Sequence, residues 1–253
     1  EFYRKATHGE GFIRGFFNVI KSATTGTGAA LERLFITGVS PVTMDDVTSG
    51  FNIGTNITND SWFNDLVGFS ENELREMLEY YKEQGVLQES IDEIVAMMKP
   101  NYDNYCFSED TLEQCMFNSD MALYFLKSFV LHHKKPKEIV DPNIRTDFNK
   151  LAYLIKLDHG LGENFSVIKE IAEQGEIITD IVTHFSALEM TDPSNFKSLL
   201  FYFGLLSIKG VDMVGRPILH VPNLVVREQL FNFLIQGYIK HDIFKIDMNK
   251  MSA

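Results

Sequence analysis

Leu206-Ser207-Ile208-Lys209-Gly210-Val211-Asp212-Met213-Val214-Gly215-Arg216-Pro217-Ile218-Leu219-His220-Val221 is the stretch on which the reading of the fold turns. Leu206-Ser207-Ile208 reads as a strand and Pro217–Val221 as its return, because β-favouring apolar residues flank the polar, glycine-bearing turn Lys209–Arg216. Upstream, the spacing predicts a helix over 195–206. Downstream, Asn223 is placed to cap a helix running through Val225, Val226, Leu230, Phe233 and Leu234, its side-chain oxygen accepting from the first free amides.

A helix, a hairpin and a closing helix make the outline of a winged-helix-like domain, assigned here to residues 158–253. Working back, residues 164–174, 145–157, 118–132 and about 88–98 carry helical spacing, the last ended by Pro100. Ser70-Glu71-Asn72-Glu73 is a capping box that starts another helix through Leu74, Met77, Leu78 and Tyr81. Residues 67–157 are therefore expected to form a helical layer. Residues 10–22 space Phe12, Phe16, Val19 and Ile20 as one broad apolar helix face. Arg33–Pro41 reads as a short buried strand, and 42–60 as a long polar loop.

The chain has 253 residues with 45% apolar and 23% charged side chains, an ordinary composition for a packed fold. Its 35 acidic against 23 basic residues give a net charge of -12, which argues against a broad nucleic-acid footprint or an anionic membrane surface. No window approaches the roughly 18 to 20 continuous apolar residues of a membrane span. Cys106 and Cys115 lack metal-type spacing and read as two free thiols of a cytoplasmic protein. The seven histidines show no zinc-binding spacing, and no G-x-S-x-G elbow or Walker A string is present. Asp45-Asp46 and Asp92-Glu93 are poor metal candidates: the first pair lies in a polar loop, the second at a helix start that favours negative charge. The basic turn 132–137 reads as solvated. Lys197, Lys209 and Arg216 make a sparse footprint for duplex DNA, so a structural or protein-contact role is the stronger reading of the last domain.

The run Leu34-Phe35-Ile36-Thr37-Gly38-Val39-Ser40-Pro41-Val42-Thr43, then Asp45-Asp46 and Thr48-Ser49-Gly50-Phe51-Asn52, with Gly68-Phe69-Ser70 and Glu73 after it, resembles the AAA-ATPase-like family of predicted bacterial P-loop ATPases. His8-Gly9-x-Gly11-Phe12, Phe16-Phe17-x-x-x-Lys21, Tyr102-Asp103-x-Tyr105, Gly204-Leu205-Leu206 and Val221-Pro222-Asn223 are similar to the same family. Asn104 departs from it, standing where the family has Gly in a D-G-Y string.

The resemblance implies a mainly α chain with a small α/β remnant. Residues 1–66 would be the carboxyl-terminal remnant of a P-loop NTPase core, 67–157 a helical lid and 158–253 the winged-helix-like domain. The Walker A and Walker B segments would precede Glu1, and a PD-(D/E)XK nuclease-like domain would follow Ala253. ATP and Mg²⁺ are then expected in the full-length parent and not in this piece, which is expected to be inactive alone. Thr37 takes a sensor-like catalytic role at a core strand end, where open α/β sheets bind ligands. Gly38, Ser40, Thr43, Ser49, Asn52 and Arg75 become nucleotide contacts, and no residue a metal ligand. The competing reading is a non-enzymatic helical and winged-helix module that binds DNA or a protein.

Overall fold

A computed structural model describes residues 11–38, 54–141, 162–183, 185, 189–190 and 192–240. The described chain is mainly helical with one small antiparallel sheet. In order it forms α1 (Phe12–Thr24), α2 (Glu71–Glu83), α3 (Ile91–Tyr102), α4 (Ser119–His132), α5 (Glu163–Gln174), β1 (Glu176–Ile178), α6 (Pro193–Tyr202), β2 (Ser207–Val211), β3 (Pro217–His220) and α7 (Leu224–Lys240). No described helix is long and apolar enough to cross a membrane.

Two apolar cores result. The first is built by Leu74 and Leu78 of α2, Ile94, Met98 and Tyr102 of α3, and Phe125 and Phe129 of α4. The capping box at its start forms as the sequence predicts: the Ser70 hydroxyl accepts from the Glu73 amide, and the Glu73 carboxylate accepts from the Ser70 amide at 2.8 Å. Pro100 does not end α3. It sits in the last turn, where the helix loses only one internal hydrogen bond to it.

The second core joins Ile168 and Ile171 of α5, Phe196 and Leu199 of α6, Ile208 and Leu219 of the hairpin, and Val226, Leu230 and Leu234 of α7. Its sheet has the order β1-β3-β2, so the hairpin strand β3 lies in the middle. Ile177, Leu219 and Ile208 stand in one register across the three strands and are all buried. Burying each such side chain is worth about 1.5–3 kcal/mol. The hairpin expected over 206–221 forms, but its turn is shorter than Lys209–Arg216, since β2 runs on to Val211; the structure also adds β1, which a three-residue pattern does not announce.

The start of α7 joins the two cores. Val225 belongs to the first and its neighbour Val226 to the second. The segment after α3 does the same, since Tyr102 is in the first core while Tyr105, Phe107 and Leu112 pack against the second.

One expectation is overturned. Residues 33–38 form no strand, and Leu34, Phe35 and Ile36 are exposed. A β-favouring run becomes a strand only when another strand completes its hydrogen bonds, and none pairs with it among the described residues. The amphipathic pattern of α1 does form a helix, but none of its residues is buried. The predicted helix over 145–157 lies outside the described residues.

A short ladder ties the entry to α2 to the segment between α3 and α4. Phe69 and Phe117 exchange hydrogen bonds at 3.0 and 2.7 Å, and Tyr105 and Met116 at 3.1 and 2.8 Å. Gly68 passes so close that a Cβ there would lie 2.8 Å from the Phe117 carbonyl oxygen, at a φ of +95°. Gly68→Ala is expected to destabilise the protein by about 2–3 kcal/mol through backbone strain and steric crowding, read as a lower urea midpoint. An unchanged midpoint would show that this close approach does not constrain the fold.

Candidate functional site

The seam between the two cores is where separated parts of the chain meet through directed polar contacts. The Asn104 side-chain amide donates to the Pro222 carbonyl oxygen at 3.0 Å, and the Asn223 side-chain amide donates to the Asp103 carbonyl oxygen at 3.1 Å. These bonds span 118 and 120 residues of chain. Asn223 also caps α7, as the sequence predicts, accepting from the Val226 amide at 3.2 Å. One side chain thus satisfies a free helix amide and a buried carbonyl together.

Asn104 has a φ of +74°, the left-handed region that favours glycine and that asparagine enters most readily among the others. Gly204, at +71°, lies 3.6 Å by its Cβ direction from the Tyr105 ring. The Cys106 amide donates to the Ser207 hydroxyl at 2.8 Å, and the Ile208 amide to the Cys106 carbonyl oxygen at 3.2 Å, fastening this segment alongside β2. A groove of about 410 Å³ opens beside the seam, bounded by Pro100, Gly175, Pro222, Leu224 and Arg227. Among the described residues its charged lining groups are Glu173 and Arg227.

The residues expected to touch nucleotide are not gathered here. Thr37 and Gly38 lie on exposed irregular chain, so Thr37 does not stand at the end of a buried strand. Ser40, Thr43, Ser49 and Asn52 lie outside the described residues, as does Asp45-Asp46. Arg75 is on α2 as expected, but its guanidinium is engaged. Nε donates to Glu71 at 2.8 Å and Nη1 to Asp92 at 2.7 Å. Lys99 reaches the same Glu71 at 2.8 Å, and Lys99 and then Arg75 hold that carboxyl below its ordinary range. Asp92 and Glu93 occupy the first turn of α3. Among the described residues, no group of three or more His, Cys, Asp or Glu side chains converges in a way that could hold a metal ion.

Two of the three cations weighed for DNA are also committed. Lys209 pairs with Glu176 at 2.5 Å, and Arg216 with Asp212 at 2.8 Å. Lys197 lies on α6, whose residues Phe196 and 198–201 are buried. Sequence reasoning missed the contact between Asn104 and Pro222. The only available signal was the tolerance of asparagine for left-handed backbone. It also missed that Cys106 and Cys115 face each other.

Comparison with family models, with curated proteins and with solved structures finds no match.

Asp103 is buried, and burial pushes its carboxyl above the ordinary range, opposed by the Asn104 amide, which donates to it at 2.7 Å, and by Lys99. A carboxyl whose folded pKa is raised costs stability when ionised, and that cost disappears as pH falls through the raised value. Asp103→Asn is therefore expected to be at least as stable as the native chain at pH 7. The difference should shrink as the pH is lowered from 7 toward about 4, through that raised value and toward the ordinary carboxyl range. Urea midpoints at both values decide it; a variant whose deficit is largest at pH 7 would mean that the charge is needed.

Proposed function

We propose that this chain supplies the helical lid and a winged-helix-like unit of an AAA-ATPase-like protein, joined through the 102–107 seam, and does not itself bind or hydrolyse ATP. The observation that carries the reading is convergence. Tyr102-Asp103-x-Tyr105, Gly204-Leu205-Leu206 and Val221-Pro222-Asn223 are separated stretches that carry the weaker part of the resemblance, beside the more specific 34–52 run, and they meet at one junction. The left-handed backbone of Asn104 is a position that glycine suits, which supports the match to a family with glycine in that string. Gly68 and the capping-box pair Ser70 and Glu73 have equally specific structural tasks.

Support for the winged-helix-like reading comes from the path α5-β1-α6-β2-β3 with the central strand last, closed by α7. In such a parent the phosphate cradle and Mg²⁺ ligands would come from the Walker segments. Labelled ATP with Mg²⁺ should show no saturable binding to residues 1–253, while a parent carrying the upstream segments should bind. Tight binding to this chain alone would overturn the reading.

A second point concerns what the winged-helix-like unit touches. We infer protein rather than duplex DNA, because Lys209 and Arg216 are neutralised by carboxylates and half of α6, Phe196 and 198–201, is buried. The hairpin tip offers Met213 and Val214, both strongly exposed. Titration with duplex DNA at about 50 mM salt is expected to show no binding; salt-dependent binding, lost on replacing Lys197, Lys209 and Arg216, would reverse the assignment.

A further inference from the structure

Tyr105 and Met116 exchange both main-chain hydrogen bonds, which makes them a hydrogen-bonded antiparallel pair. The next pair outward in the same register is Cys106 and Cys115. Opposed residues of an antiparallel pair project to the same face, and at a non-hydrogen-bonded position their Cα atoms lie about 4.5 Å apart. A disulfide requires about 4.4–6.8 Å. Beyond the cysteines the register is held again. The Asn64 side chain accepts from the Phe107 amide at 3.1 Å and donates to the Gln114 carbonyl oxygen at 2.9 Å, spanning the following pair. The two thiols are thus framed on both sides.

We propose that Cys106 and Cys115 form a reversible intramolecular disulfide that clamps the seam between the two cores. This rests on the register alone and is independent of the ATPase reading. The sulfurs are near enough to alter each other's ionisation: Cys115 holds the Cys106 thiol below its ordinary range and is itself pushed up. That lowering favours the thiolate where the bond must form. Cys106 is buried, whereas Cys115 is partly open to solvent.

The oxidant required is a hydroperoxide. The thiolate attacks one peroxide oxygen, an S–O bond forms, the O–O bond breaks, and the departing hydroxide takes a proton. The second thiol then attacks the sulfenic sulfur; the S–S bond forms, the S–O bond breaks, and the oxygen leaves as water. With hydrogen peroxide, two thiols lose two electrons and two protons and one peroxide becomes two waters. Two equivalents of a small thiol reverse the step and leave as their own disulfide.

The bridge closes the loop 106–115 against β2, where the Cys106 main chain is already bonded to Ser207 and Ile208. The loop 106–115, which directly follows the two polar ties of the seam at Asp103 and Asn104, would then lose freedom in the unfolded chain, which stabilises the folded one.

The test is oxidation of the full chain in native buffer with stoichiometric hydrogen peroxide, followed by alkylation and peptide mass mapping. The expected product is a monomer lacking two hydrogen masses, with Cys106 linked to Cys115, both alkylatable again after dithiothreitol, and with a higher Tm than the reduced chain. Cys115→Ser keeps the buried cysteine and should give a sulfenic acid or mixed products with no internal bridge and no rise in Tm. Overoxidation or intermolecular dimers in place of the internal bridge would overturn the proposal. So would a bridge that appears only in urea or lowers Tm.

Discussion

Buried main-chain carbonyls must find donors, and at the seam of this protein the donors come from far along the chain. The carbonyl of Asp103 is met by Asn223 and that of Pro222 by Asn104. Left unpaired, each buried group would cost about 1–3 kcal/mol. The exchange fixes the end of α3 against the start of α7. From that fixed point Val225 faces one core and Val226 the other, so two apolar clusters become one continuous structure.

The same constraint accounts for the unusual backbone nearby. Asn104 can present its amide to Pro222 only with the chain turned through the left-handed region, and asparagine tolerates that turn. Asn64 performs a similar task one layer away, with its buried amide stitched to both sides of the 105–116 ladder. Junctions made of carboxamides hold without charge, and their bonds are not screened by salt. Ion pairs instead sit at the periphery, such as Arg75 with Asp92 and Lys209 with Glu176, each worth up to about 1 kcal/mol. Those pairs also occupy the cations that would otherwise attract phosphate.

The helices were legible because their signals are local. Ser70 and Glu73 announce a capping box four residues long, and Asn223 announces its cap at the position it occupies. The hairpin was legible because a glycine-bearing turn separates two apolar runs. Leu34-Phe35-Ile36 carried an equally apolar signal and misled, since strand formation depends on a neighbour that propensity does not report. β1 was missed for the converse reason: Glu176–Ile178 shows no distinctive pattern and is a strand because β3 runs beside it.

By itself, the amino-acid sequence determined the helical layers, the caps, the hairpin and the acidic balance, all of which arise within a few residues or from simple counts. Only the tertiary structure decided that Asn104 answers Pro222, that Cys106 opposes Cys115, and that Arg75 is spent on Glu71 and Asp92. These pairings join residues through register and packing across the fold. A periodicity confined to one element carries no information about which distant group will lie opposite it.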